Sequence, residues 1–445
     1  MIGAQLLFAV LLGIALILWL ILKLRIHAFI ALLIGSIAVG LLAGLDAGQI
    51  IQSVQTGMGG TLGFVATVVG LGAIFGGILE ASGGAQAIAD FMVSRFGIKR
   101  APWAMALSGF LIAVPVFFDV AFIILVPMIY ALQRRTGKSL LLYAIPLLAG
   151  LAIAHAFIPP TPGPIAVAEI IGVDLGWVIL MGFLTGIPTA LIAGIWFGKF
   201  IAKRIFVAAP REITDGEAPK LPPIGQTLAI VGLPIVMILL NTATTAGAFG
   251  IEKKWVLQII SLIGHPFTAL IIANLLAWYF LGLKRGFSRT QLLDISTKSL
   301  APAGTIILLT GAGGVFKQML TDTGAGELLA TSLSDAGIPI LFFAFASAAI
   351  VRILQGSSTV AMITAAGLVS PLLVQMELGP MHLACMVIAI ASGASIFSHV
   401  NDSGFWLVSQ YLGISEKQTF SSWTVMTTLL GVVGMLSASL FFWLA

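Results

Sequence analysis

The chain has 445 residues, of which 59% are hydrophobic and only 9% charged, with a formal net charge of +5. A soluble domain is nearer half apolar and a quarter charged, so a globule covered by water is excluded. The basic residues stand singly or in short groups between apolar runs and build no basic face, which argues against a nucleic-acid partner.

Apolar runs of about 18 residues or more recur along the chain, each long enough to cross a hydrocarbon core of roughly 30 Å. The first, Ile2 to Leu22, lacks a charged n-region and a clear small-residue cleavage site, and reads as a retained span. Lys23 and Arg25 follow it. Further spans are expected at 27–45, 61–80, 139–173 and 176–202. Segment 101–133 reads as a re-entrant hairpin or, equally compatible with the charges, as two full spans. The sequence thus divides into a first membrane repeat (1–204), a cytoplasmic linker (205–224) and a second membrane repeat (225–445). Ala208 to Gly225, with its prolines and mixed charges, is the polar stretch that marks the linker.

An outside N-terminus places Arg95, Lys99, Arg100, Arg134, Arg135, Lys138, Lys199, Lys203 and Arg204 in the cytoplasm. Lys284, Arg285, Arg289, Lys298 and Lys417 join them, leaving Lys253 and Lys254 outside. The first repeat then crosses an odd number of times, so the second is inverted. The halves also resemble each other at a spacing of roughly 240 residues: Gly70–Ala85 aligns with Gly311–Gly326, and Gly163, Val167 and Gly172 pair with Gly404, Val408 and Gly413. HAFIAL at His27 echoes HPFTAL at His265. Weak internal symmetry of this kind is what transporter folds carry. The expected fold is therefore all-α and polytopic, with two inverted repeats, two re-entrant hairpins and broken helices. Cys385, the single cysteine, cannot form an intramolecular disulfide.

Four interruptions fall inside apolar stretches: PVFFD (Pro115–Asp119), IPPTPGP (Ile158–Pro164), QGSST (Gln355–Thr359) and SHVNDSG (Ser398–Gly404). Proline removes an amide donor and glycine loosens the backbone, so helices break there. Backbone freed within a bilayer persists only where it is buried in protein or lines a wet cavity. Paired breaks therefore point to a substrate site near the midplane.

The ionisable residues near these breaks are the site candidates. Asp119 is a proton carrier or substrate contact, or else a cap at the hairpin tip. Asn401 and Asp402 could bond hydroxyls, and Asp402 could hold a proton. Glu169 is a third carboxylate, near the outer end of its span. The guanidinium of Arg352 suits a carboxylate, either a substrate's or that of Asp119 or Asp402. His155 and His399 flank the two breaks and are candidate proton relays. Thr161, Ser357, Ser358 and Thr359, together with Ser398 and Ser403, supply hydroxyls for a polyol, or oxygens for sodium. Lys317, His27, His265 and His382 read as interfacial. No Cys/His metal spacing, Walker loop or dinucleotide fingerprint occurs, so no metal or cofactor is expected. Adjacent Ser398 and His399 point apart on a helix and make no nucleophile–base pair, so an enzyme is not expected.

GMGGTLGF at Gly57, PVFFDVAFIIL at Pro115, PPTPGP at Pro159, GAGGVFKQ at Gly311, RILQGSSTVA at Arg352 and SHVNDSGFW at Ser398 together resemble the gluconate:proton symporter (GntP) family, within the larger ion-transporter superfamily. The resemblance runs over essentially the whole chain. The resemblance implies a multi-pass protein of the cell inner membrane that imports a sugar acid with a proton, as a homodimer working by an elevator-like motion. Family motifs put substrate contacts around Asp119, Thr161, Ser357–Thr359 and Asn401–Asp402. Thr161 stands where many relatives have histidine. A carrier of glycerate, a hydroxy amino acid or another small carboxylate, coupled to a proton or to sodium, is the alternative expectation.

Overall fold

The computed structural model describes residues 2–209, 221–251, 253–326, 328, 331, 336–374 and 376–445. The centre of the expected linker, 210–220, lies outside the described residues. Every regular element among the described residues is helical, and seven helices are long and apolar enough to cross a membrane. Backbone groups have no water to bond in hydrocarbon, so an apolar chain of this kind satisfies them within helices.

Two helices dominate the centre: Ala47–Ala81, of 35 residues, and Arg289–Asp322, of 34. At about 1.5 Å per residue each exceeds 50 Å, longer than a bilayer core and therefore tilted or projecting. The first begins well before the expected span at 61. Asp46 and Gln49 form a capping box there, and Ser288 and Gln291 form the same device on the second helix. The two helices pack where side chains vanish: a Cβ on Gly57 would lie 2.6 Å from the Gly314 carbonyl oxygen, and one on Gly314 equally close to that of Gly57. Close van der Waals approach of this kind holds helices together in lipid, where hydrophobic burial gives little driving force.

The segment expected as a hairpin or two spans is a helix pair, Ala101–Ala113 and Phe118–Thr136, joined by a short turn. Its counterpart is Ile340–Gln355 with Ser358–Leu373. The span expected at 139–173 is interrupted, as Leu141–Phe157 and Pro162–Ile171, because Pro159 and Pro160 supply no amide donors. Pro380–Gly393 and Ser403–Leu412 are separated by a corresponding break, residues 394–402, which contains no proline. Leu175–Arg204 and Glu416–Leu444 then run on as candidate spans, each widened by a π-helical turn, Ala190–Trp196 and Phe420–Thr424.

His27 and His265 do more than sit at the interface. Each is an N-cap whose Nδ1 accepts from the backbone two residues on, Phe29 N and Phe267 N, both at 3.3 Å.

Candidate functional site

The breaks meet. A cavity of about 610 Å³ is lined from the turn Phe117–Val120, from Leu141–Phe157 through His155, from the turn Arg352–Thr359, and from the break at Asn401–Gly404. Pro302 and Ile306 of the long helix and Trp423 of the last span close it. Its size lies within the range of about 300–1,000 Å³ usual for small-molecule sites. Phe117, Val120 and Pro302 also line a second cavity of about 300 Å³, bordered by Glu80 and Lys298.

Local chemistry explains why the polar groups gather here. Gly356 ends the helix Ile340–Gln355 with φ +88°, a left-handed conformation that favours glycine, and a Cβ there would sit 2.3 Å from the Asn401 carbonyl oxygen. The turn can thus press directly against the second break. Ser357 then caps the next helix, accepting from Val360 N at 3.3 Å, and Asp402 caps Ser403–Leu412 through Gly404 N at 3.0 Å. Together with Phe118–Thr136, three helices present their N-terminal ends to one cavity. Helix N-termini carry partial positive charge and unpaired amides, which favour an anion.

Arg352 is 5% exposed, and its guanidinium bonds both sides of the site. Nη1 donates to the Gly356 carbonyl, and Nη2 forms an ion pair with Asp402. The Arg352 Nε and His155 Nδ1 are buried with no hydrogen-bond partner among the described residues, and both residues line the cavity. Buried polar atoms are rarely left unsatisfied, so these two have hydrogen-bonding capacity to spare at the cavity. Asp402 accepts a further bond from the Ser398 hydroxyl. Asp119 is open to the cavity and makes no hydrogen bond or ion pair among the described residues.

Eight of the predicted site residues therefore share one wall: Asp119, His155, Arg352, Ser357, Ser358, Thr359, Asn401 and Asp402. Asn401 also donates from Nδ2 to Ile353 O at 3.0 Å. Three others do not reach it. Thr161 is buried, gives its hydroxyl to Ile158 O, and borders a separate cavity of about 20 Å³, room for one water. The ring of His399 pairs with Ile353 O at 2.8 Å. Glu169 lies near Lys317, whose ammonium bonds Ile170 O. The hydroxyl of Ser398, 1% exposed, is turned into the protein.

The last span supplies what sequence reasoning missed. Trp423 Nε1 donates to Ser398 Oγ at 2.6 Å, Thr424 Oγ1 donates to Ser398 O at 2.5 Å, and Ser398 N donates to Thr427 Oγ1 at 3.3 Å. The signal was the polar run Ser421–Thr424 inside an apolar segment.

Comparison with known proteins settles the class. The model of the GntP family permeases matches residues 5–444. The chain belongs to this permease family. A GntP permease of this length is 42% identical over 425 residues to the low-affinity gluconate transporter of Escherichia coli K12, covering 95% of each chain. It is 38% identical to the gluconate permease of Bacillus subtilis 168, over 96% of this chain and 97% of that one. The fold also resembles that of the Alcanivorax borkumensis YdaH transporter, with a TM-score of 0.66 at 14% identity and 90% of each chain covered. As a member of the GntP permeases, the protein is a multi-pass inner-membrane transporter and not an enzyme.

Proposed function

We propose that this permease imports gluconate or a closely related sugar acid together with a proton, by alternating access. The observation that carries the reading is the convergence of Arg352 and three helix N-termini on one cavity that also holds an unpartnered carboxylate, Asp119. The names of the relatives, which transport gluconate, supply the substrate class.

The charges explain why a proton should accompany the anion. Arg352 contributes one positive charge, and Asp119 and Asp402 one negative charge each, so with neutral His155 the cavity carries a net charge of about −1 by simple count. An aldonate entering beside two carboxylates is opposed by Asp119 unless a proton neutralises it. Anion and proton then bind cooperatively, each favouring the other by the same free energy. The pair crosses as neutral cargo, so import does not move net negative charge toward a negative interior.

In this reading Arg352 and the amides at the starts of Ser358–Leu373 and Ser403–Leu412 receive the carboxylate. Ser357, Ser358, Thr359 and Asn401 read the hydroxyls, and His155 relays the proton to Asp119 or Asp402. Thr161 and His399 act indirectly, by holding the first break and the Ile353 carbonyl in place, and Glu169 belongs with Lys317 toward the outer end. Repeats 1–204 and 225–445 are inverted copies joined by the linker 205–224, with the two helix pairs as re-entrant hairpins. The matching order of helix pair, interrupted helix and π-widened span in each half supports this. The cavity bordered by Glu80 and Lys298 is then the cytoplasmic vestibule. A homodimer working by an elevator-like motion fits the same scheme.

The test is uptake of labelled gluconate into proteoliposomes under imposed pH or sodium gradients, with other sugar acids, glycerate and hydroxy amino acids as competitors. Accumulation driven by the pH gradient and blocked best by sugar acids is expected. Sodium-driven uptake insensitive to the pH gradient would replace the coupling ion, and preferential competition by glycerate or a hydroxy amino acid would replace the substrate.

A further inference from the structure

We infer that Asp119 alone takes the transported proton, and that Ser398 and Trp423 are positioning residues that keep Asp402 as the fixed counter-ion of Arg352. The inference rests on the proton-coupled reading above and decides between the two carboxylates that it leaves open.

The direction of one hydroxyl proton carries the argument. An indole N–H is a donor only, and that of Trp423 lies 2.6 Å from Ser398 Oγ. Ser398 must accept there, so its single proton is free to go to its other neighbour, Asp402 Oδ2. The same Oδ2 receives Arg352 Nη2, and Oδ1 receives Gly404 N at 3.0 Å. Every hydrogen-bond partner of this carboxylate is therefore a donor, as a carboxylate requires and a carboxylic acid does not. A proton arriving on Oδ2 would meet both Arg352 and a serine hydroxyl that has no alternative acceptor at Trp423. The serine cannot swing away freely either, because Thr424 and Thr427 hold its backbone on both sides.

Asp119 is the opposite case. It sits in the first turn of Phe118–Thr136, open to the same cavity, with no donor to displace among the described residues. A proton can join it without breaking a contact. The other ionisable groups on the cavity wall are Arg352, Asp402 and His155, each on a different element. The neighbouring His399 is engaged by Ile353 O. Pro302 and Ile306 bring no charge from the long helix.

The experiment compares pH-driven accumulation and gluconate exchange at equilibrium in proteoliposomes. Wild type should accumulate gluconate under an inward pH gradient; if it does not, the coupling reading itself fails. Asp119→Asn should keep exchange, lose accumulation and exchange at a rate independent of pH. Asp402→Asn should raise the KM yet still accumulate its cargo when the pH gradient is imposed, which keeps the question open to measurement even if Asp119→Asn does not fold. Pairing Asp119→Asn with Ser398→Ala, a residue off the cavity wall, should restore a pH dependence to exchange, and pairing it with Trp423→Phe should do the same. Pairing it with Ser398→Thr, which keeps the hydroxyl, should not. Accumulation that survives in Asp119→Asn, or is lost only in Asp402→Asn, overturns the assignment of the proton. A flat profile in the Ser398→Ala pair overturns the positioning role.

Discussion

Replacing Arg352 with glutamine separates two roles that its position allows. The guanidinium links the Gly356 carbonyl and Asp402 in the cavity lining, and in the proposed function it also receives the substrate carboxylate. Arg352→Gln leaves Asp402, whose side chain is 12% exposed, with only Ser398 and Gly404 as donors. Removing one partner of a buried ion pair costs about 3–5 kcal/mol, because the remaining charge stays buried without compensation. The pair exists only while the turn at Gly356 is docked on the second break, so the cost falls on the formed cavity. At about 1.4 kcal/mol per factor of ten, affinity for gluconate should fall roughly 140- to 4,000-fold. The double variant Arg352→Gln/Asp402→Asn removes the stranded charge. Its thermal stability in detergent should recover toward wild type, while uptake stays at least about a hundredfold below it for want of a cation at the site. Arg352→Lys keeps the charge but not the fork, and should be intermediate. If the double variant regained near-normal uptake, Arg352 would be only the partner of Asp402, and its role in binding the anion would be refuted.

Two other predictions follow from packing. Gly356→Ala forces a side chain into a left-handed conformation and against the Asn401 carbonyl; a loss of about 1–3 kcal/mol in stability is expected, read as a lower melting temperature together with loss of uptake. Cys385 is fully buried in Pro380–Gly393, so a maleimide should label the folded protein in detergent hardly at all and label it fully once denatured.

Much of this molecule can be read from its sequence because a bilayer restricts the choices so severely. Apolar length announces the spans, and Pro115, Pro159, Pro160 and Gly356 announce the breaks, since each removes something that a continuous helix needs. Polar residues at breaks in both halves also indicate that they should meet. What sequence does not reveal is which partners they choose. Arg352 had equal claim to Asp119 and Asp402, and only the docking of Gly356 on Asn401 sets it against Asp402. The start of Ala47–Ala81 was hidden because Gln49, Gln52, Ser53 and Gln55 dilute its hydropathy, although Asp46 and Gln49 carried a readable cap. The position of Lys317 near a span end gave no hint of its partner, the Ile170 carbonyl, 147 residues away in sequence. Trp423 gave no sign of reaching Ser398, because a helix face is not fixed until the π-helical turn at Phe420–Thr424 sets its rotation.

The central claim is that one anion and one proton share the cavity as neutral cargo. The most direct measurement is parallel influx of labelled gluconate and protons into proteoliposomes at clamped membrane potential. The account predicts one proton per gluconate, about tenfold accumulation per pH unit of gradient, and no response to a potential imposed at equal pH. Influx driven by an inside-negative potential alone, or gluconate entry with no accompanying proton, would contradict it.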